Sequence, residues 1–464
     1  MNTQTAIYKK QKSIVSNSTL VLLAFATAYF PRIINAVGAP SAINFLHFAT
    51  VQHVRLIAIN KTRTKDLNQI AISWAIISGL FALFAIMTTS AFFNKAGFIN
   101  LFLDYLLFAE PFMLLLAIIC IPMTLKIFNK VRSWLLAFGL INIVLALAQD
   151  TFIKAGLLPV TRMTPEDNVQ GVFYLSGAGN YVSVYVSFSF ALYYWVTAKK
   201  IPTWVKASGL FAAFYQLIVS DSKQVLLSLL VAWMILLLTK VQDIGKVLMY
   251  LIGLVFIVFS LVWLTQNTDL EAFASFRYWF SRTDLYGPDG EAVNLKLAGI
   301  REVLSAYNSP IHWLFGLGPG HTIGRLGGWV LLEYTNLLRP LGATFHPVSM
   351  AAKNIVETSW LALDSSLFSP LFTWAGIWGD IGILGLGSYL YLAFIAWSFL
   401  GKDDFSRFLM LNVVVIGFIL TQMEEPGYML TVASLIGMRY QEKQVEKHER
   451  SRLAHLPPES QIIS

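Results

Sequence analysis

Charge is scarce in this chain. Asp, Glu, Lys and Arg make up 13% of its 464 residues, against about 25% in soluble domains, so a soluble globular protein is excluded. There is one cysteine, Cys120, and therefore no internal disulfide. The seven histidines are scattered without any His-x-x-x-His spacing, and no metal site is expected from them. No Gly-Lys-Ser/Thr follows the glycines at 316–320, so the chain lacks a nucleotide-binding phosphate loop, and no cofactor is expected. Internal repeats and low-complexity tracts are missing as well. The net charge of +8 comes largely from short loops between apolar segments. Membrane topology accounts for that pattern, and nucleic acid is not an expected partner.

What the chain has is apolar length. Hydrophobic residues reach 56% and the mean hydropathy is +0.61. The reading is an all-α, polytopic transmembrane helix bundle of about twelve spans. The segments run near 17–36, 41–59, 70–93, 102–125, 133–150, 172–197, 204–220, 224–239, 247–265, 371–399, 407–421 and 427–439. Ala36-Val-Gly-Ala39 has the look of a signal-cleavage site, but another apolar segment follows at once, which favours an uncleaved first span. Short loops on the N-terminal side are all basic, among them Lys9-Lys10, Lys126 to Arg132, Lys199-Lys200 and Lys402 to Arg407. Both termini are therefore expected in the cytoplasm. The chain divides into nine spans (1–265), a large external loop with short helices (266–370), three further spans (371–440) and a cytoplasmic tail (441–464), part of it disordered.

Chemistry is expected in the loop. A short amphipathic helix carries Arg301 and runs into Phe315-Gly-Leu-Gly-Pro-Gly320-His321. The same outer face receives Arg162 and Lys223, the latter in Ser220-Asp-Ser-Lys223. Cations converging from several loops suit an anionic ligand such as a lipid diphosphate, because a guanidinium matches phosphate oxygens bidentately. Each of them also has a plainer reading. Arg301 suits a surface pair with Glu302 or Asp284, Lys223 suits snorkelling at a helix end, and the glycines suit a tight turn. His321 and His346 are candidate substrate contacts, with a structural role as the alternative. Asp380 lies inside a span, where carboxylates are functional candidates or bundle-internal hydrogen-bond acceptors. Asp104 and Glu110 raise the same question more weakly.

The pattern resembles the O-antigen ligase/O-antigen polymerase (Wzy-like) superfamily of bacterial polysaccharide membrane proteins. The resemblance covers the architecture of nearly the whole chain. It rests on Arg162 followed by Gly171-Val-Phe173 and Gly179-Asn180, on Ser220-Asp-Ser-Lys223, on Gly299-Ile-Arg301 with Pro310 and Phe315 to Gly320, and on Asp380-Ile-Gly382-Ile-Leu-Gly385. Family ligases carry a His about eleven residues before the first glycine of that last motif; here Leu367 to Thr373 has none. A polymerase or divergent branch therefore fits better than a ligase. The resemblance implies a GT-C-like, metal-independent inverting glycosyltransferase in the bacterial cytoplasmic membrane. Its donor would be a polyprenyl-diphosphate-linked oligosaccharide and its acceptor a glycan or lipid, with membrane lipids and other polysaccharide assembly proteins as partners. Arg301 and Lys223 would stabilise the departing diphosphate, with Arg162 as a further contact. Asp364 is the first-ranked base for the acceptor hydroxyl, ahead of His346 and His321. The competing readings are a ligase, a flippase for the same lipid-linked glycans, and a non-catalytic assembly scaffold.

Overall fold

The computed structural model describes residues 16–61, 66–161, 164–174, 178–240, 244–268, 277, 281–287 and 289–454. Among them every regular element is helical. Helices occupy all twelve apolar segments: α1 Asn17–Tyr29 with α2 Pro31–Ala36, α3 Leu46–Lys61, α4 Leu67–Phe93, α5 Phe98–Cys120, α6 Leu125–Lys154, α7 Gly179–Thr197, α8 Thr203–Val219, α9 Lys223–Leu238 and α10 Ile244–Asn267. In the loop lie α11 Glu291–Ala306, α12 Pro310–Phe315 and α13 Pro347–Thr358; α14 Thr373–Leu400, α15 Asp404–Gly417 and α16 Pro426–Ala454 close the chain. Among the described residues, six helical stretches are long and apolar enough to cross a membrane by length and composition. They are Ser41–Asn60, Leu67–Phe93, Phe98–Cys120, Leu125–Lys154, Val247–Asn267 and Ser366–Leu400.

Two elements differ from the sequence reading. The first apolar segment breaks at Phe30, because Pro31 starts a new helix at a position where its missing N–H costs nothing. The last helix runs past the segment limit at 439. Helix α16 continues to Ala454, since Gln441 is buried and donates to the Ile118 and Ile121 carbonyls at the end of α5. Arg439 and Lys443 pair with Asp403 in the same region. Residues 455–464 lie outside the described part.

Helix α5 is the hub. It is buried along almost its whole length and packs against α1, α3, α4 and α16. Helix α10 is the opposite case, an exposed helix packed on α9. The decisive feature is the stretch 316–328, which is buried throughout and has no regular helix before Leu326. Irregular backbone is tolerated inside a membrane bundle when protein satisfies its polar groups. Here protein does so. The Asp380 carboxylate on α14 accepts the N–H groups of Gly320, His321 and Thr322 at 3.2, 3.1 and 2.7 Å. Leu317 N–H and Gly318 N–H donate to the Gly379 and Asp380 carbonyls at 2.8 and 2.9 Å. From α4, Asn94 donates to the Gly316 carbonyl at 3.0 Å. From α5, the fully buried Asn100 donates to the Thr344 carbonyl and accepts its N–H, both at 2.9 Å.

This docking requires glycine on both sides. Gly316 has φ +71, and a Cβ there would stand 2.3 Å from the Asp380 carbonyl carbon. Gly382 has φ +67 and interrupts α14, and its Cβ would stand 2.4 Å from the Leu314 backbone. The glycines of the loop and those of α14 are thus one contact seen from two ends. Gly316→Ala is expected to cost about 3 kcal/mol through strained φ and overpacking. Gly387→Ala, in the same helix with open space around it, is expected to be neutral. Melting temperatures of the two variants in detergent check the contrast.

Candidate functional site

The docked loop delivers cations into the bundle. After Asp380 has fixed residues 320–322, the Arg325 N–H donates to Glu424 Oε2 at 2.6 Å. The Arg325 guanidinium is 3% exposed and lies 4.9 Å from the Trp329 ring centre. Residues Leu326–Val330 form a π-helical turn, a rare element frequent at functional sites. Arg32 approaches the same Trp329 ring at 5.3 Å from α2 and donates to the Tyr334 hydroxyl at 2.6 Å. Asn44 donates to that hydroxyl at 3.2 Å. Among the described residues no carboxylate stands within ion-pair distance of Arg32, whose contacts are Tyr334 and Trp329. A cavity of about 40 Å³ lies between these groups and the apolar Phe45, Phe48, Leu326 and Val330. That is room for a water molecule or two.

Such an arrangement can do one thing well. Guanidiniums held on an aromatic ring and partly shielded from water attract an anion more strongly than they would in bulk water, here with the Glu425 side chain sharing the cavity lining. Deeper in the bundle, Glu110 on α5 meets His47 Nδ1 at 2.7 Å, and Asp104 is fully buried with neither carboxylate oxygen hydrogen-bonded. Among the described residues no group of three His, Cys, Asp or Glu side chains is placed to hold a metal ion.

The residues chosen from sequence are spread apart. Arg301 is exposed on α11 and donates to Asn294 Oδ1 at 2.8 Å. Its helix buries Ala292, Leu295, Gly299 and Val303, which turns Arg301 outward. Lys223 opens α9 and pairs with Asp221 at 3.0 Å. Asp364 ends a short helix, Trp360–Asp364, and its side chain lies outside the described part. Arg162 also lies outside the described residues. The turn that follows Asp364 does link the two regions, since Ser366 donates to Tyr181 at the head of α7 at 3.1 Å. Lys296 of α11 grips the Leu367 and Ser369 carbonyls at 3.3 and 2.9 Å and also reaches the Ile419 carbonyl. Burial pushes this ammonium down to about 7.

His321 and His346 do meet, their rings stacked with centres 5.3 Å apart. His321 bonds the Leu317 carbonyl through Nδ1 and the Thr344 hydroxyl through Nε2, each at 2.8 Å. Arg32 and Arg325 escaped the sequence reading, whereas Trp329 and Tyr334 were expected only as loop aromatics suited to stacking on sugars or lying at the membrane interface. The one local signal of the two arginines was their place inside apolar surroundings, at Phe30-Pro-Arg32-Ile and Gly324-Arg325-Leu.

No protein-family model, curated protein or solved structure matches the chain.

Burial pushes the His321 imidazole down to about 4, below its ordinary value near 6.5. Between those values the unfolded chain binds the proton and the folded chain does not. Stability therefore rises with pH across that window and is lost on acidification from about 6.5 toward 4. His321→Gln is expected to flatten that part of the melting-temperature profile, measured in detergent from pH 7 to 4.5.

Proposed function

We propose that this chain is a membrane glycosyltransferase that polymerises polyprenyl-diphosphate-linked glycan units at the outer face of a bacterial cytoplasmic membrane. In this reading it spans the bilayer twelve times with both termini cytoplasmic. The observation that carries it is the Arg32–Trp329–Arg325 group: two guanidiniums on one indole ring beside a small cavity that Glu425 also lines, one of them, Arg32, without a carboxylate within ion-pair distance among the described residues. The cavity beside them is too small to enclose a diphosphate, so binding opens the Arg32–Tyr334 hydrogen bond and hands the guanidinium to the ligand. The acceptor hydroxyl attacks the anomeric carbon, the bond from that carbon to the diphosphate oxygen breaks, and lipid diphosphate leaves with its new charge on the arginines. The acceptor's proton passes to a base or to water. The family resemblance of the loop motifs supports the same reaction class. Arg301, exposed to water, is left with a weaker, screened role.

A second reading, a transporter of the same lipid-linked glycans, draws on Asp104 and Glu110, buried carboxylates on the central helix of the kind that line transport paths.

Deletion of the gene, followed by restoration with wild type, Arg32→Ala or Arg301→Ala at matched membrane levels, tests the proposal. Polymer made with Arg32→Ala is expected to fall about 100-fold, with single repeat units accumulating on lipid. Arg301→Ala is expected to fall less than about 10-fold. Short units that still polymerise but miss their final acceptor would indicate a ligase instead. Lipid-linked units trapped in the cytoplasmic leaflet would indicate a flippase.

A further inference from the structure

A second recess opens on the water side of the docked loop. It is a cleft of about 500 Å³ between α11, α12 and α13, bounded by Glu302, Ser305, His312 and His346 and floored by Leu317. We infer that this cleft binds the uncharged sugar rings of the acceptor glycan, through Glu302 and the His312 and His346 rings. The inference rests on the polymerase reading and assigns a place to the acceptor that Arg32 and Arg325 cannot supply.

The hydrogen-bonding inventory carries the argument. His346 Nδ1 accepts the Val348 N–H at 3.2 Å, where it caps α13. His312 Nδ1 accepts the Asn308 N–H at 3.2 Å. With Nδ1 an acceptor in both rings, the proton of each neutral ring sits on Nε2, and neither Nε2 has a partner among the described residues. Each histidine therefore offers the cleft one N–H donor. On α11 the Glu302 carboxylate lines the same cleft, has no ion-pair partner among the described residues and offers only acceptors. The Ser305 hydroxyl donates to the Glu302 carbonyl at 2.8 Å, which leaves its oxygen as a further acceptor.

Donors and acceptors in one cleft suit vicinal sugar hydroxyls, each of which both donates and accepts. They do not suit a phosphate, which the carboxylate would repel. Burial, and the neighbouring His312, push His346 below its ordinary range, so its ring is uncharged at neutral pH and again favours a neutral ligand. A metal ion is not indicated, because no adequate group of ligands is present among the described residues. The wall is also held in place. His321, fixed through its own backbone N–H to Asp380, stacks under His346 with the two rings inclined by 22°. A carboxylate inside the bundle thereby positions a ring on the cleft.

The test uses the full chain in lipid nanodiscs and oligosaccharides released by mild acid from the host's own surface polysaccharide. Binding is read by calorimetry. His346→Asn keeps an N-cap acceptor and removes the Nε2–H, and Glu302→Gln keeps the shape and removes the charge. Wild type is expected to bind saturably, each variant at least about tenfold more weakly, and Arg32→Ala as tightly as wild type. Absence of saturable binding to wild type, or unchanged binding by both variants, overturns the assignment. Intact oligosaccharide binding in a protein that makes no polymer would keep the cleft and remove the polymerase reading, so the two failures are separable.

Discussion

The structure depends on one buried carboxylate. Asp380 sits two turns into α14 and collects three consecutive N–H groups from Gly320, His321 and Thr322. Without it, the buried stretch 316–325 would present unpaired backbone donors to an apolar bundle, each at a cost of several kcal/mol. With it, the long loop between α10 and α14 becomes part of the bundle core. Asn94 and Asn100 complete the attachment from two other helices.

Everything proposed about function follows from that attachment. On the bundle side the docked segment runs on through Arg325 and the π-helical turn to Tyr334, where α2 supplies Arg32. On the water side it holds His321 beneath His346 and forms the floor of the cleft through Leu317. A donor diphosphate and an acceptor sugar differ in charge, and the two recesses differ in the same way. One is lined by Arg32 and Arg325 with Glu425 beside them; the other is open and carries the Glu302 carboxylate, which has no ion-pair partner among the described residues. In the proposed reading, a single loop would separate two kinds of ligand by a few residues of buried backbone.

Much of the scaffold was legible in the sequence. Apolar runs fall where the helices fall, because burial in lipid or protein demands them. The glycines at 316–320 and the Asp380-Ile-Gly382 motif were both visible as unusual, but their contact was not. The two segments are some sixty residues apart, and periodicity carries no information about such a meeting. Arg301 illustrates the opposite case. The spacing of Ala292, Leu295, Gly299 and Val303 already places it off the buried stripe, and a charge on a helix's exposed face does not by itself mark a ligand. Arg32 and Arg325 carry only the weak signal of arginine in apolar surroundings, since only tertiary packing puts them on one indole ring. The helical extension to Ala454 was hidden for the same reason: a polar tail folds here because Gln441, Arg439 and Lys443 find partners on α5 and at Asp403.

The most direct measurement is a reconstituted turnover. The purified full chain would be placed in proteoliposomes with lipid-linked donor extracted from a host lacking the gene, in the presence of a chelator. Chain length and released polyprenyl diphosphate would be measured together. The account requires longer glycans, with one lipid diphosphate released for each new linkage. Donor that crosses to the other leaflet with its sugar–diphosphate bond intact, and no lengthening, would contradict it.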